Sequence, residues 1–168
     1  VDISGMAARI ELEDGPAIQA PTLSTDESCD VVVIGSGIAG LSTAYELSRF
    51  GRSVIAIDRG RTGNGMTART TAHLATELDD FYSELIKVRG EDEARLYHDS
   101  QVAAINRIEA ICRDESIDCA FRRLDGYLFL APGQGRDGLE EELEAAHRAG
   151  LTDVRVVEKA PIPGYDTG

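Results

Sequence analysis

The sequence has little positive charge and no long apolar run, and each shortage excludes a class of protein. Its 17 Lys and Arg residues face 30 Asp and Glu, a net charge of −13 that would repel a nucleic-acid backbone or an anionic membrane. We therefore expect no nucleic-acid and no membrane partner. No apolar run approaches the roughly 20 residues of a bilayer span, and the N-terminus does not resemble a signal peptide. These absences predict a cytoplasmic protein.

Paired cysteines and hydrolytic constellations are also missing. The three cysteines, Cys29, Cys112 and Cys119, form no CxxC pair, and their odd number argues against a disulfide framework and for a reducing compartment. Cys112 falls on the apolar stripe of a predicted helix, where free cysteine behaves as a small buried hydrophobe. No Ser-His-Asp, paired-carboxylate or zinc-ligand pattern is convincing, so the sequence assigns no catalytic residue and no metal ligand.

What the sequence does contain is an α/β pattern. Residues 1–29 are predicted to be a leader or arm, because most of them mix Pro, Ser, Thr and acids without an apolar period. From Asp30, DVVVIG is a β-branched run typical of a strand covered on both faces of a parallel sheet. A helical stripe ended by Gly51 and then SVIAID follow. This order predicts a right-handed βαβ unit.

The rest of the chain predicts three helices, a hairpin and one further strand. The helices are expected over residues 79–89, 91–116 and 137–149, the last ended by Gly150. Asp125-Gly126, between two β-rich runs, predicts an antiparallel hairpin over residues 119–131, and VRVVE predicts a strand. The fold class is therefore α/β, a Rossmann-like domain of residues 30–168 that is incomplete. Because the chain stops in the turn-rich APIPGYDTG, we expect it to be the first part of a longer protein.

A glycine motif, GSGIAG, links the first predicted strand to the first helix. Gly35 permits a tight turn, Gly37 lets backbone approach a pyrophosphate, and Gly40 lets helix and strand pack closely. The helix N-terminus adds N–H donors and partial positive charge. Asp58, which ends the second strand, is placed to accept hydrogen bonds from ribose hydroxyls. Together these features predict a dinucleotide site.

The loop after Asp58 distinguishes between dinucleotides. A plain NAD-binding unit would turn directly into a helix, whereas this chain continues through RGRTGNG and MTARTTAHL. The small residues of the loop let backbone N–H and hydroxyl groups crowd a ligand. A polar loop at this place can cover the pyrophosphate and the ribityl chain and steer a large ring toward a second domain. The loop therefore predicts FAD.

These segments resemble a known family. The run from Asp30 to Arg59, the loop GNGMTARTTAHL and the later LDGYLFL are similar to the N-terminal part of D-amino-acid-oxidase-like FAD-dependent oxidoreductases, most of all to the branch with a C-terminal Rieske domain. The resemblance implies oxidation of a small amine, amino acid or similar C–H donor by hydride transfer to flavin. It implies a small-molecule substrate and, as partner, a downstream Rieske iron–sulfur domain or another electron acceptor. It also implies that the 119–131 hairpin begins the substrate domain.

The resemblance also assigns cofactor-binding residues. It places the pyrophosphate at Gly35, Ser36, Gly37 and Gly40, the adenosine ribose at Asp58, the adenine end at Arg59, and the flavin-side path at Thr67, Ala68, Arg69, Thr71 and His73. From the residues alone, Arg69 could instead cap the acidic helix start near Glu77, and His73 could be structural rather than a group that tunes the flavin.

The sequence departs from the family pattern at two points, and a second function stays open. Asp58 stands where the family more often has Glu, and the chain lacks a substrate domain and a Rieske Cys/His cluster. A noncatalytic sensor that binds NAD or FAD is therefore the alternative.

Overall fold

The structure, a computed structural model, describes residues 20–130 and 135–163, which divide between Ala72 and His73 into two compact units. The first contains a βαβ arrangement and the second contains three helices. The domain boundaries predicted from the sequence are not decided by this division and stay predictions. Within the described residues, no helix combines the length and the apolarity that crossing a bilayer requires.

The first unit is built from strand β1 (Val31–Ile34), helix α1 (Ile38–Arg49) and strand β2 (Val54–Ile57). The two strands pair in parallel, as the predicted βαβ unit requires, and α1 packs against both. Gly51 ends α1 with a φ of 76°, and its amide donates to the carbonyl of Ser48. Because that φ disfavours any residue with a side chain, the predicted role of Gly51 is confirmed.

Two aspartates fasten the strands at opposite ends of the sheet. At the start of the strands, the Asp30 carboxylate accepts hydrogen bonds from the amide and the hydroxyl of Ser53, both at 2.8 Å. At the carboxyl ends, Asp58 makes the equivalent pair of bonds with Ser36. Charged acceptors shared between neighbouring strand ends stabilise a small sheet that buries little apolar surface.

The prediction that the first strand is covered on both faces is wrong for the described residues. Val32 is 54% exposed and Ile34 is 84% exposed, whereas Val31 and Val33 are half-buried. The exposure alternates because side chains of a strand point to opposite faces. Helix α1 packs on β1, and its Gly40 lies against the side chain of Val33, on the half-buried face.

The second unit contains α2 (Phe81–Arg89), α3 (Glu91–Asp114) and α4 (Asp137–Ala149), which pack against one another. All three predicted helices are therefore confirmed, with ends that differ by two residues or fewer. The buried core of this unit consists of one tyrosine, four alanines and one leucine: Tyr82, Ala94, Ala145, Ala146, Ala149 and Leu151. Alanines at the contacts let helix backbones approach closely. Gly150 ends α4 with a φ of 106°, as predicted, and the next residue enters the core.

The N-terminus of α2 is capped by a side chain from a different helix. Glu142 of α4 accepts hydrogen bonds from the amides of Tyr82 (2.7 Å) and Ser83 (2.9 Å) through its two carboxylate oxygens. The first amides of a helix have no partner within the helix, and a negative charge there also complements the helix dipole. One half-buried carboxylate thus fixes α2 against α4.

The predicted hairpin over residues 119–131 is not present in its described part. A type I′ turn needs positive φ at both central residues, and neither Asp125 nor Gly126 has it. Instead, the guanidinium of Arg123 pairs with the Glu109 carboxylate at 2.7 Å, which holds this segment along α3. A two-stranded hairpin without a third strand or a covering helix is marginal, so the tertiary contact outweighs the turn signal.

The strand predicted from VRVVE is also absent. Residues 154–158 form no ladder with another strand in the part of the chain that the structure describes. Val156 is 67% exposed and Val157 is 45% exposed, so no face of this segment is buried as a sheet would bury it. A β-branched run becomes a strand only where a partner edge satisfies its backbone groups.

Candidate functional site

The turn between β1 and α1 depends on two glycines for steric reasons. Gly35 has a φ of 108°, and its amide donates to the Ile57 carbonyl at 2.8 Å, which ties the turn to the end of β2. A Cβ added to Gly40 would lie 1.9 Å from the Gly35 carbonyl oxygen. The tight turn and the close helix packing predicted for these positions are therefore observed, while their part in ligand binding stays a prediction.

Gly37 makes room for the loop that follows β2. A Cβ at this position would lie 3.1 Å from the Thr67 hydroxyl oxygen, and that hydroxyl accepts a hydrogen bond from the Ile38 amide at 2.9 Å. Thr67 begins a short 3₁₀ helix, Thr67–Arg69, so the loop supplies the cap that Gly37 cannot provide. The space predicted for a pyrophosphate at Gly37 is thus shared with the Thr67 side chain.

Asp58 is held as an ionised carboxylate beside the same turn. It accepts hydrogen bonds from the Ser36 amide (2.6 Å), the Ser36 hydroxyl (2.9 Å) and the Gly60 amide (2.9 Å). The backbone hydrogen bond from Ser36 contributes most to lowering the pKa of Asp58 to about 2, followed by that from Gly60. Donated N–H and O–H groups stabilise the charged form, so Asp58 carries a full negative charge at neutral pH.

Two glycines that shape the site were missed by the sequence-based prediction. The Gly60 amide closes a local turn on Asp58, and the Gly63 amide donates to the Ser36 carbonyl at 2.8 Å. The first contact had a signal, because an aspartate commonly accepts a hydrogen bond from the amide two residues later. The second joins residues far apart in the chain, and RGRTGNG gives no indication of which glycine makes it.

The turn can serve an anion and a sugar together. In the described part of the chain, the amides of Gly37, Ala39 and Gly40 have no hydrogen-bond partner, and they lie at the positive end of α1. A carboxylate has about four lone-pair sites. The three hydrogen bonds to Asp58 leave it able to accept another from a hydroxyl. The residues present therefore fit a nucleotide diphosphate, with donors for phosphate and an acceptor for ribose.

For the remaining predicted residues, the described part of the chain shows no side-chain hydrogen bond or ion pair. The side chains of Arg59, Ala68, Arg69 and Thr71 are exposed in the first unit, and neither arginine forms an ion pair within the described residues. His73 is exposed and belongs to the second unit. The alternatives for Arg69 and His73 therefore both stay predictions.

Comparison with known proteins places this turn in a family. The model of the DAO family, described as FAD dependent oxidoreductase, matches residues 30–166. Among curated relatives, the Rieske 2Fe-2S iron-sulfur protein YhfW of Bacillus subtilis is 37% identical over 85% of this chain and 28% of its own length. The oxidoreductase OrdL of Haemophilus influenzae is 32% identical over 86% of this chain and 33% of its own length. Gamma-glutamylputrescine oxidoreductase of Escherichia coli is 29% identical, over 82% and 32% respectively.

The chain spans about a third of the length of these relatives, from 28% to 33%. No solved structure gives a significant match. The family is FAD-dependent, so the resemblance stated from the sequence and the choice of FAD as the cofactor are both confirmed.

Proposed function

This chain belongs to the DAO family of FAD dependent oxidoreductases, and from that premise we propose that its first unit binds the ADP half of FAD. The pyrophosphate lies at the glycine turn and the adenosine ribose at Asp58. The observation that carries the proposal is the link between Asp58 and Ser36, which holds an ionised carboxylate beside the amides of the turn. A diphosphate needs N–H donors and a ribose needs an acceptor, and one turn offers both.

For the whole protein we propose oxidation of a small amine, amino acid or similar C–H donor. When bound, the flavin supplies this chemistry, because it accepts a hydride from the donor carbon. The Escherichia coli relative is named for gamma-glutamylputrescine, which supports an amine as substrate. The Bacillus subtilis relative is named for a Rieske cluster, which supports an iron–sulfur centre rather than oxygen as the electron acceptor. No described residue is assigned a catalytic role.

The proposal is tested by titrating the purified chain with FAD while following the flavin fluorescence. If the first unit binds the ADP half, ADP should compete with FAD, whereas FMN, which lacks the adenosine half, should compete at least tenfold less well, since it offers neither the second phosphate nor the ribose. Equal competition by FMN, or no binding of FAD or ADP, contradicts the proposal.

A matched pair of aspartates sharpens the test. Asp58→Ala should weaken ADP and FAD binding by on the order of tenfold or more, because it removes a charged acceptor from the ribose. Asp30→Ala removes the equivalent tie to Ser53 at the other end of the strands and should leave binding unchanged. Both variants lose one carboxylate and its two contacts to a serine, and Asp58→Ala also loses the contact to the Gly60 amide. An equal loss of binding in the two would show that Asp58 acts only through the fold.

A further inference from the structure

Two cysteines of the second unit lie side by side. The Sγ atoms of Cys112, in the last turn of α3, and Cys119, five residues beyond its end, are 3.5 Å apart. Cys119 is exposed and Cys112 is half-buried. The sequence-based interpretation of Cys112 as a buried hydrophobe is therefore wrong. The interpretation did not include the neighbouring Cys119, because residue spacing alone does not reveal that the chain folds back on α3.

The turn after α3 brings the two thiols together. The Ser116 amide donates to the Arg113 carbonyl at 3.2 Å, and the Ile117 amide donates to the Cys112 carbonyl at 2.7 Å. These two bonds form the Schellman arrangement that reverses a chain at a helix end. Since one of them ends on Cys112 itself, the turn fixes the backbone of Cys112 relative to the segment that carries Cys119.

Ser116, at the centre of this turn, has a left-handed backbone conformation that is unusual for a residue with a side chain. Helices α1 and α4 end in the same two-bond arrangement with Gly51 and Gly150 at the left-handed position. Helix α3 uses Ser116, with a φ of 55°, a region that disfavours residues with a side chain. A non-glycine residue keeps such a φ only where surrounding contacts impose it. The pair is thus held close by a defined turn.

We propose that Cys112 and Cys119 are a redox-active dithiol, which a low-molecular-weight disulfide oxidises reversibly to an intramolecular disulfide. The site is a shallow depression of the surface, lined also by Glu109, Arg113 and Phe121. A small disulfide that carries carboxylate and ammonium groups, such as oxidised glutathione, can approach it from solvent, because Cys119 is exposed. In the reducing compartment that the sequence predicts, the pair stays a dithiol until such disulfides accumulate.

The exchange balances without any other oxidant. The Cys119 thiolate attacks one sulfur of the small disulfide, so a mixed disulfide forms and one small thiol leaves with a proton. The Cys112 sulfur then attacks the Cys119 sulfur, the protein disulfide forms, and the second small thiol leaves with the other proton. Hydrogen bonding to Cys119 raises the pKa of the Cys112 thiol, and burial adds to this. Cys112 is therefore suited to resolve rather than to react first, and that hydrogen bond is lost once Cys119 has reacted.

The test uses the full chain, equilibrated in buffers with increasing ratios of oxidised to reduced glutathione, alkylated, and digested with trypsin without reduction. Arg113 lies between the two cysteines, so cleavage separates IEAICR (108–113) from DESIDCAFR (114–122). Oxidation should join these two peptides with the loss of two hydrogens, and alkylated thiols should fall from three to one. Excess reduced glutathione should restore all three.

Cys29 provides the matched control, because it is the third cysteine and belongs to the first unit. Cys29→Ser should leave the linked peptides unchanged. Cys112→Ser should trap glutathione on Cys119 several-fold more than Cys119→Ser traps it on Cys112. No linked peptides at the most oxidising ratio, links to Cys29 in comparable amount, or equal trapping in the two single variants would overturn the proposal.

A further pair of variants, at Ser116, tests whether the turn is what brings the two thiols close enough to form a disulfide. Ser116→Pro cannot adopt positive φ and lacks the amide that bonds Arg113, so with all three cysteines intact it should require at least a tenfold more oxidising ratio to form the link. Ser116→Gly accepts the turn and should form the link at the ratio of the parent chain or a lower one. If Ser116→Pro links as readily as Ser116→Gly, the turn does not create the pair.

Discussion

Each of the two units is stabilised internally by a different kind of contact. All the buried apolar residues among those that the structure describes belong to the second unit, whereas Ser36 is the one buried residue of the first. The first unit depends on glycines without side chains and on aspartates bonded to serines, and the second depends on packing among three helices. In the first unit, where backbone geometry determines the structure, adding one carbon atom to a glycine should lower the stability strongly. In the second unit, where packing determines it, removing one side chain should lower the stability less, because several contacts remain.

The largest expected effect is that of Gly40→Ala in the first unit. The added Cβ would meet the Gly35 carbonyl at 1.9 Å, and because that neighbour is backbone it cannot rotate away. We expect a loss of about 3 kcal/mol or more in the stability of this unit, the upper end for overpacking. Hydrogen exchange should show the amides of β1 and β2 losing protection while those of α3 keep theirs.

The matched control for this prediction is Gly60→Ala. Its added Cβ would lie 3.7 Å from Asp58, an ordinary van der Waals contact, and its φ is not positive. It should leave the exchange of both strands unchanged. If Gly40→Ala reduced protection in α3 equally, the two units would unfold as one. That result would contradict the claim that each unit is stabilised by its own contacts.

A smaller effect is expected in the second unit, from Glu142→Ala. The substitution leaves the amides of Tyr82 and Ser83 without their shared acceptor, at the start of α2, where both of these residues are buried. We expect a loss of about 1–3 kcal/mol in the free energy of unfolding, measured by urea denaturation followed by helical circular dichroism. Glu144→Ala changes an exposed acid of the same helix and should cost less than about 0.5 kcal/mol.

The sequence revealed the first unit better than the second for a physical reason. Gly35, Gly40 and Gly51 are required by local backbone geometry, and local geometry is visible as residue spacing. The Glu142 cap joins residues about sixty positions apart, and no periodicity indicates which acid of GLEEELEAA turns inward. The helices were predictable from their apolar stripes, whereas their contacts were not.

The predictions that failed also concern features that depend on contacts with other parts of the chain. The hairpin and the VRVVE strand were inferred from local β signals, and a strand is completed only by a partner that its own sequence does not contain. The Cys112 and Cys119 pair was missed because a left-handed Ser116, unlike a glycine, gives no signal of a turn. At the candidate site, the Asp58 contact to Gly60 was recognisable, while the Thr67 cap on α1 needed the structure.

The smallest expected effect is a pH dependence of stability, which should be confined to the first unit. Hydrogen bonds from Ser36 and Gly60 hold the pKa of Asp58 near 2, below its ordinary value of 3.8, so the folded state binds this proton less tightly than the unfolded chain. The stabilisation from Asp58 is therefore complete above pH 3.8 and is lost as pH falls from 3.8 through about 2. Because Asp58 is exposed, the change should be small.

The measurement compares the parent chain with Asp58→Asn by hydrogen exchange of β1 and β2 at several pH values, each corrected for intrinsic exchange. The difference in protection between the two proteins should be constant from neutral pH down to 3.8 and should shrink below it, whereas the amides of α3 should show no difference at any pH. A difference that already declines near neutral pH would mean that Asp58 titrates with a raised pKa. The tie to Ser36 would then not be the contact that fastens the carboxyl ends of the two strands.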